Sequence, residues 1–136
     1  MARPASRHPT ELELEILKIL WRDGPASVRH VRDTLASSRT LAYTSVMTIM
    51  NIMTKKCYLQ RTKAGGSFVY RPKISAADTT RGMLKDLVDR VFDGSAVAAM
   101  VNLLETSDIH AEELARLRQM ISRKAKEQTD EPSDRA

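Results

Sequence analysis

At 136 residues the chain has room for one compact module and an extension, not for several large domains. It carries 22 Lys and Arg against 17 Asp and Glu, few aromatics, and a single cysteine that excludes an internal disulfide or a zinc site built on its own thiols. No apolar run approaches the roughly 20 residues that cross a bilayer, and the stretch 1–9 is charged without a hydrophobic signal core, so a cytoplasmic protein with no membrane partner is expected.

The charge is unevenly spread. Residues 1–73 hold 13 Lys and Arg against 5 Asp and Glu, whereas residues 74–136 hold 9 against 12. Between Asp33 and Asp78 there is no carboxylate, yet Arg39, Lys55, Lys56, Arg61, Lys63, Arg71 and Lys73 all fall there. Such a surface attracts a polyanion, and neutralising phosphates with release of their counterions dominates DNA affinity. A basic front half and a mildly acidic back half point to two separate jobs.

In chain order, Thr10 followed by Glu13 has capping-box spacing and opens a helix to about Arg22. Leu12, Ile16, Ile19 and Leu20 recur at helical spacing, and Leu17 and Trp21 widen the apolar face. Asp23-Gly24-Pro25 stops it. Ser27 caps a short helix with Val28, Val31 and Leu35 on one side. After a polar loop over 37–40, a third helix is predicted from about Leu41 to Lys56.

That third helix has two faces. Val46, Ile49, Met50 and Met53 share the core side, while Thr44, Thr48, Asn51 and Lys55 form a polar stripe elsewhere, edged by Ser45 and Thr54. Small hydroxyls permit close approach to a groove; Asn can pair bidentately with adenine, and Thr methyls can meet thymine methyls. Past Tyr58 the period changes. Residues 58–62 and 68–71 read as two short strands joined at a tip, Lys63-Ala64-Gly65-Gly66. Three short helices and a basic hairpin make a winged helix-turn-helix, in which the third helix enters the major groove and the hairpin follows the backbone.

Pro72 ends the wing, and Ser75 with Asp78 caps a helix over about 76–92. Asp93-Gly94-Ser95 separates it from an apolar helix over 96–104. Residues 106–109 turn the chain into a last helix marked by Leu114, Leu117, Ile121 and Ala125, with a frayed tail from about Glu127. The fold class is therefore mainly α, with a winged helix-turn-helix over 10–73, a three-helix dimerisation region over 74–127, and flexible termini at 1–9 and 128–136. Three helices this apolar need cover, and a second copy gives a two-fold homodimer suited to a pseudo-palindromic site.

Glu13-Leu14-Glu15-Ile16-Leu17-Lys18-Ile19-Leu20-Trp21 with Gly24-Pro25, and Ala42-Tyr43-Thr44-Ser45-Val46-Met47-Thr48-Ile49-Met50, resemble the penicillinase-repressor family (BlaI/MecI/CopY). Lys55-Lys56-Cys57-Tyr58-Leu59, Tyr70-Arg71-Pro72, Phe92-Asp93-Gly94-Ser95 and Glu112-Glu113-Leu114-Ala115-Arg116-Leu117 extend the resemblance over about residues 10–125. It implies a bacterial dimeric repressor on operator DNA of dyad symmetry. It also implies relief of repression, in inducible members, by a sensor-linked protease, with Asn102-Leu103 matching the cleavage segment and a β-lactam as one kind of inducer. The Cys-x-Cys motifs of the copper-responsive branch are missing. The family often has Gly where Cys57 stands; a left-handed Cys57 costs roughly 1 to 2 kcal/mol. Some relatives have basic residues where Thr44, Met47 and Ile52 stand, so their base preference does not transfer.

The expected DNA contacts are Arg39, Tyr43, Thr44, Ser45, Thr48, Asn51, Lys55, Arg61 and Lys63. For each, the bland alternative is a solvated face. His8, His30 and His110 have no metal or catalytic spacing, and Met50 and Met53 read as core filler rather than a soft-metal stripe. Cys57, beside two lysines, is either structural or redox-active. With no phosphate loop, nucleophile constellation or metal cluster, an enzyme is not expected, nor is a cofactor. Two readings stay open: a repressor that selects its operator, and a winged-helix adaptor whose basic face meets an acidic protein.

Overall fold

The structure, a computed structural model of the chain, describes residues 8–130. Six helices and one two-stranded sheet follow in the order α1 (Glu11–Asp23), α2 (Val28–Leu35), α3 (Tyr43–Lys55), β1 (Leu59–Ala64), β2 (Ser67–Pro72), α4 (Ala76–Val91), α5 (Ala96–Thr106) and α6 (Ala111–Asp130). The chain divides within α4 into two compact units, one reaching Leu87 and the other starting at Val88.

Helix α1 starts where the capping box requires. The Glu13 amide donates to Thr10 Oγ1 (3.2 Å) and the Thr10 amide to Glu13 Oε1 (2.9 Å), so two otherwise orphaned donors are satisfied. Gly24, at φ +85°, closes it, its amide donating a hydrogen bond to the Leu20 carbonyl. Ser27 Oγ accepts from the His30 amide to begin α2. Helix α3 has no side-chain cap at Ala42, and it starts two residues later than the apolar pattern suggested, since Leu41 packs on the core from the preceding extended segment.

The core of the first unit joins Ile16, Leu17 and Leu20 of α1 to Val31 and Leu35 of α2, Val46, Met50 and Met53 of α3, Leu59 of β1 and Tyr70 of β2. Ile49 and Leu12 pack at its margin rather than inside it. Strands β1 and β2 are antiparallel, with Leu59 opposite Pro72 and Ala64 opposite Ser67. The hairpin is longer than the predicted strands because Gly65 (φ +50°) and Gly66 (φ +83°) alone make the turn, as a two-residue hairpin with both central residues at positive φ allows. Ala26 adds a single bridge to Tyr70, with reciprocal backbone hydrogen bonds of 3.0 and 2.8 Å. The Trp21 indole donates to the Ile74 carbonyl at 3.0 Å, pinning the segment that follows the wing onto α1.

In the second unit, α5 and α6 carry most of their large apolar side chains outward: Val97, Met100, Leu103 and Leu104 on α5, and Leu114, Leu117, Met120 and Ile121 on α6, are all exposed. Helix α6 continues through Asp130, past the predicted fraying point at Glu127, because residues 127–130 hold their hydrogen bonds and include no breaker. Of the terminal stretch 1–9, His8 and Pro9 are described, and Pro9 is buried; residues 1–7 and 131–136 lie outside the described residues.

Candidate nucleic-acid interface

Seen along α3, the residues furthest from the buried Val46, Met50 and Met53 centre on Thr48 and Lys55, with Thr44, Asn51, Ile52 and Ser45 flanking them at helical spacing. Asn51 is half-buried and the other five are exposed. Tyr43, also exposed, opens the helix beside a groove of about 630 Å³ between α2, α3 and the wing. Arg29 and Arg32 of α2, Met47 of α3 and Phe68 of β2 line the same groove.

The cationic residues do not all remain available. Lys56 turns inward and donates to both oxygens of the buried Glu13, at 3.0 and 3.2 Å. Arg39 Nε lies 2.6 Å from Glu15 Oε2 and its Nη2 3.8 Å from Glu11 Oε1, without the alignment of a hydrogen bond to Glu15, so the contact is an ion pair. The acid-free stretch in sequence is therefore not acid-free in space, since α1 supplies carboxylates to two of its seven cations. Among the described residues, Lys55, Lys63 and Lys73 make no ion pair, nor does Arg29, which sequence reading missed. Its signal was its place, two residues into a Ser-capped helix and three before Arg32 on the same polar side.

The wing is tied to α3 through Asn51. Its Oδ1 accepts from the Tyr70 hydroxyl (2.8 Å) and from Arg61 Nη1 (3.3 Å). Arginine can only donate, so the oxygen must face it. The adenine pairing expected of Asn51 needs its amide oxygen and nitrogen together, and the oxygen is already engaged. Arg61 also stacks over Phe68, 4.3 Å from the ring centre, and Arg71 is held to Gln60 across the strands by bonds of 3.1 and 2.6 Å. Thr48 donates its hydroxyl to the Thr44 carbonyl at 2.8 Å. Lys63 stands near the exposed wing tip.

At the end of α3, Cys57 takes φ +67°. The Tyr58 amide bonds to the Met53 carbonyl (2.9 Å) and the Cys57 amide to the Thr54 carbonyl (3.1 Å), the paired bonds of a Schellman motif whose left-handed position is usually Gly. Burial of its ring pushes the Tyr58 phenol up, while Lys56 opposes that shift. At the other end of the domain, hydrogen bonds from Arg22 and then His30 hold the Asp23 carboxyl below the usual carboxylate range. Among the described residues no cluster of His, Cys, Asp or Glu could hold a metal ion, and no helix is long and apolar enough to cross a membrane. Asn102 and Leu103 lie in the middle of α5, both exposed.

Three helices around one core, with a two-stranded hairpin folded back on the third, define the winged helix-turn-helix class. The family model for the penicillinase repressor matches residues 9–123. The chain belongs to the penicillinase repressor family of transcriptional regulators. Similar proteins include the penicillinase repressor of Bacillus licheniformis, 26% identical over 112 residues, covering 82% of this chain and 88% of that one. The transcriptional regulator BlaI of Mycobacterium tuberculosis is 31% identical over 114 residues, covering 82% and 81%. The methicillin resistance regulatory protein MecI of Mammaliicoccus sciuri is 22% identical over 112 residues, covering 82% and 91%. Among solved structures, that of monomeric Bacillus licheniformis BlaI in complex with the blaP half-operator aligns at 28% identity with a TM-score of 0.45, over 55% of this chain and 88% of that one.

Proposed function

We propose that this chain is a transcriptional repressor that acts as a homodimer on double-stranded operator DNA of pseudo-palindromic sequence. Residues 10–73 form its DNA-binding domain and residues 74–127 its dimerisation domain. Helix α3 lies in the major groove with Thr44, Ser45, Thr48 and Lys55 toward the bases, and the wing follows the backbone through Arg61 and Lys63. The observation that carries this reading is the exposed face of α3 and the wing: it holds no carboxylate and keeps Lys55 and Lys63 unpaired, while the acids of α1 are used on Arg39 and Lys56. Outward-facing Leu, Met and Ile on both α5 and α6 support a second copy as their cover, because a contiguous apolar surface is costly in water. Sedimentation of the free protein together with a gel-shift on the DNA upstream of its own gene tests both parts.

Repression is relieved, in this reading, when a sensor-linked protease cuts the Asn102–Leu103 bond. Both residues sit mid-helix, and proteases cut extended chain, so α5 has to open locally first. Mass mapping in cells challenged with a β-lactam tests it: a fragment ending at Asn102 is expected, and an intact chain in derepressed cells rules the step out.

A further inference from the structure

Two of the four polar side chains in the α3 stripe have part of their hydrogen-bonding capacity committed inside the protein. Thr48 gives its one hydroxyl hydrogen to the Thr44 carbonyl, and a hydroxyl has no second one to offer a base acceptor. Asn51 gives its amide oxygen to Tyr70 and Arg61. What Thr48 still presents is its methyl group and the acceptor lone pairs of its hydroxyl. One turn further along the same face stands Ile52, 44% exposed, and four residues of helix separate the two directions by only about 40°. Lys55 follows on the same side, and Ser45 precedes.

A lone exposed isoleucine is ordinary on a protein surface. This one lies on the face that the repressor reading lays against base edges, beside Thr48, where polar side chains would otherwise do the reading. In the major groove thymine alone offers a methyl group. A cytosine amino group or a guanine oxygen set against Ile52 would lose its water and find no partner, which is costly. We infer that Thr48 and Ile52 form an apolar reading surface for thymine 5-methyl groups in each operator half-site, so that base choice at the centre of α3 is made by methyl contact and not by Asn51. This inference rests on the repressor reading and sharpens it.

The test replaces thymine by uracil, which removes the methyl and leaves every hydrogen-bonding group in place. The full-length protein selects its duplex from a random library, and each thymine of the selected half-site is then changed singly to deoxyuridine. Loss of about fourfold in affinity is expected at one or two positions, the scale of one buried methyl, and Ile52→Ala should abolish that sensitivity at one of them while binding persists. Ile52 is exposed, so its truncation leaves the core untouched. Tight, sequence-selective binding that ignores every uracil substitution overturns the inference while leaving the repressor reading standing. An Ile52→Ala protein that keeps the full thymine preference overturns the part assigned to Ile52. Failure to select any sequence overturns the repressor reading, and this inference with it.

Discussion

The hydroxyl of Tyr70, a side chain only 1% exposed, donates a 2.8 Å hydrogen bond to Asn51 Oδ1. A core residue of the wing thereby fixes a residue of α3 that the sequence places on its polar stripe. Asn51→Ala is expected to weaken every duplex to a similar degree and to leave base preference unchanged, since the wing loses its register on α3 and the engaged amide oxygen already closes the bidentate adenine contact to Asn51. Tyr70→Phe should cost about 0.5–1.5 kcal/mol in urea unfolding, the net value of one hydrogen bond. A relaxed preference at a single base position in Asn51→Ala would show that the residue reads DNA after all.

Glu13 is used twice, once to cap α1 and once to hold Lys56 at 3.0 Å. Glu13→Gln keeps an acceptor for the Thr10 amide and removes the charge, so it isolates the ion pair. Breaking a fully buried pair costs about 3–5 kcal/mol, but Lys56 keeps part of its side chain in water and can rehydrate. A loss of about 1–2 kcal/mol is therefore expected, with Glu13→Ala losing more because the cap goes too. Equal losses for the two variants would remove the ion pair from the account.

Cys57 holds a left-handed conformation without being glycine. Cys57→Gly should raise stability by about 1 kcal/mol, the strain relieved less the flexibility gained by the unfolded chain. Unchanged or lower stability would mean that the thiol contributes something the backbone geometry does not reveal.

Much of this was legible in the sequence because it is local. Thr10 and Glu13 are one helical turn apart, Val46, Met50 and Met53 share a period, and Gly65-Gly66 is a turn signal that needs no partner. The polar stripe of α3 and the cationic wing follow from the same local rules. What could not be read are the pairings between distant residues. Lys56 finds Glu13 across 43 positions and Trp21 finds Ile74 across 53, and no periodicity encodes either. Arg39 and Asn51 were legible as polar and exposed, but their partners on α1 and the wing decide what they can still offer to DNA.

Lys63, near the tip of the wing, is free of carboxylates among the described residues. Lys63→Ala should weaken operator and random duplex alike. The slope of log affinity against log salt should fall by about 0.9 for each phosphate that the lysine neutralises. An unchanged slope would place the wing tip away from the backbone.

Whether two copies of this chain select one operator is decided by a gel-shift with the DNA upstream of its own gene, run against excess random duplex with stoichiometry measured in the shifted band. A discrete complex of two protomers is expected, preferring its site over random DNA by about 10³-fold or more. A shift that random duplex abolishes near physiological salt would contradict it, and would leave the basic face to an acidic protein partner.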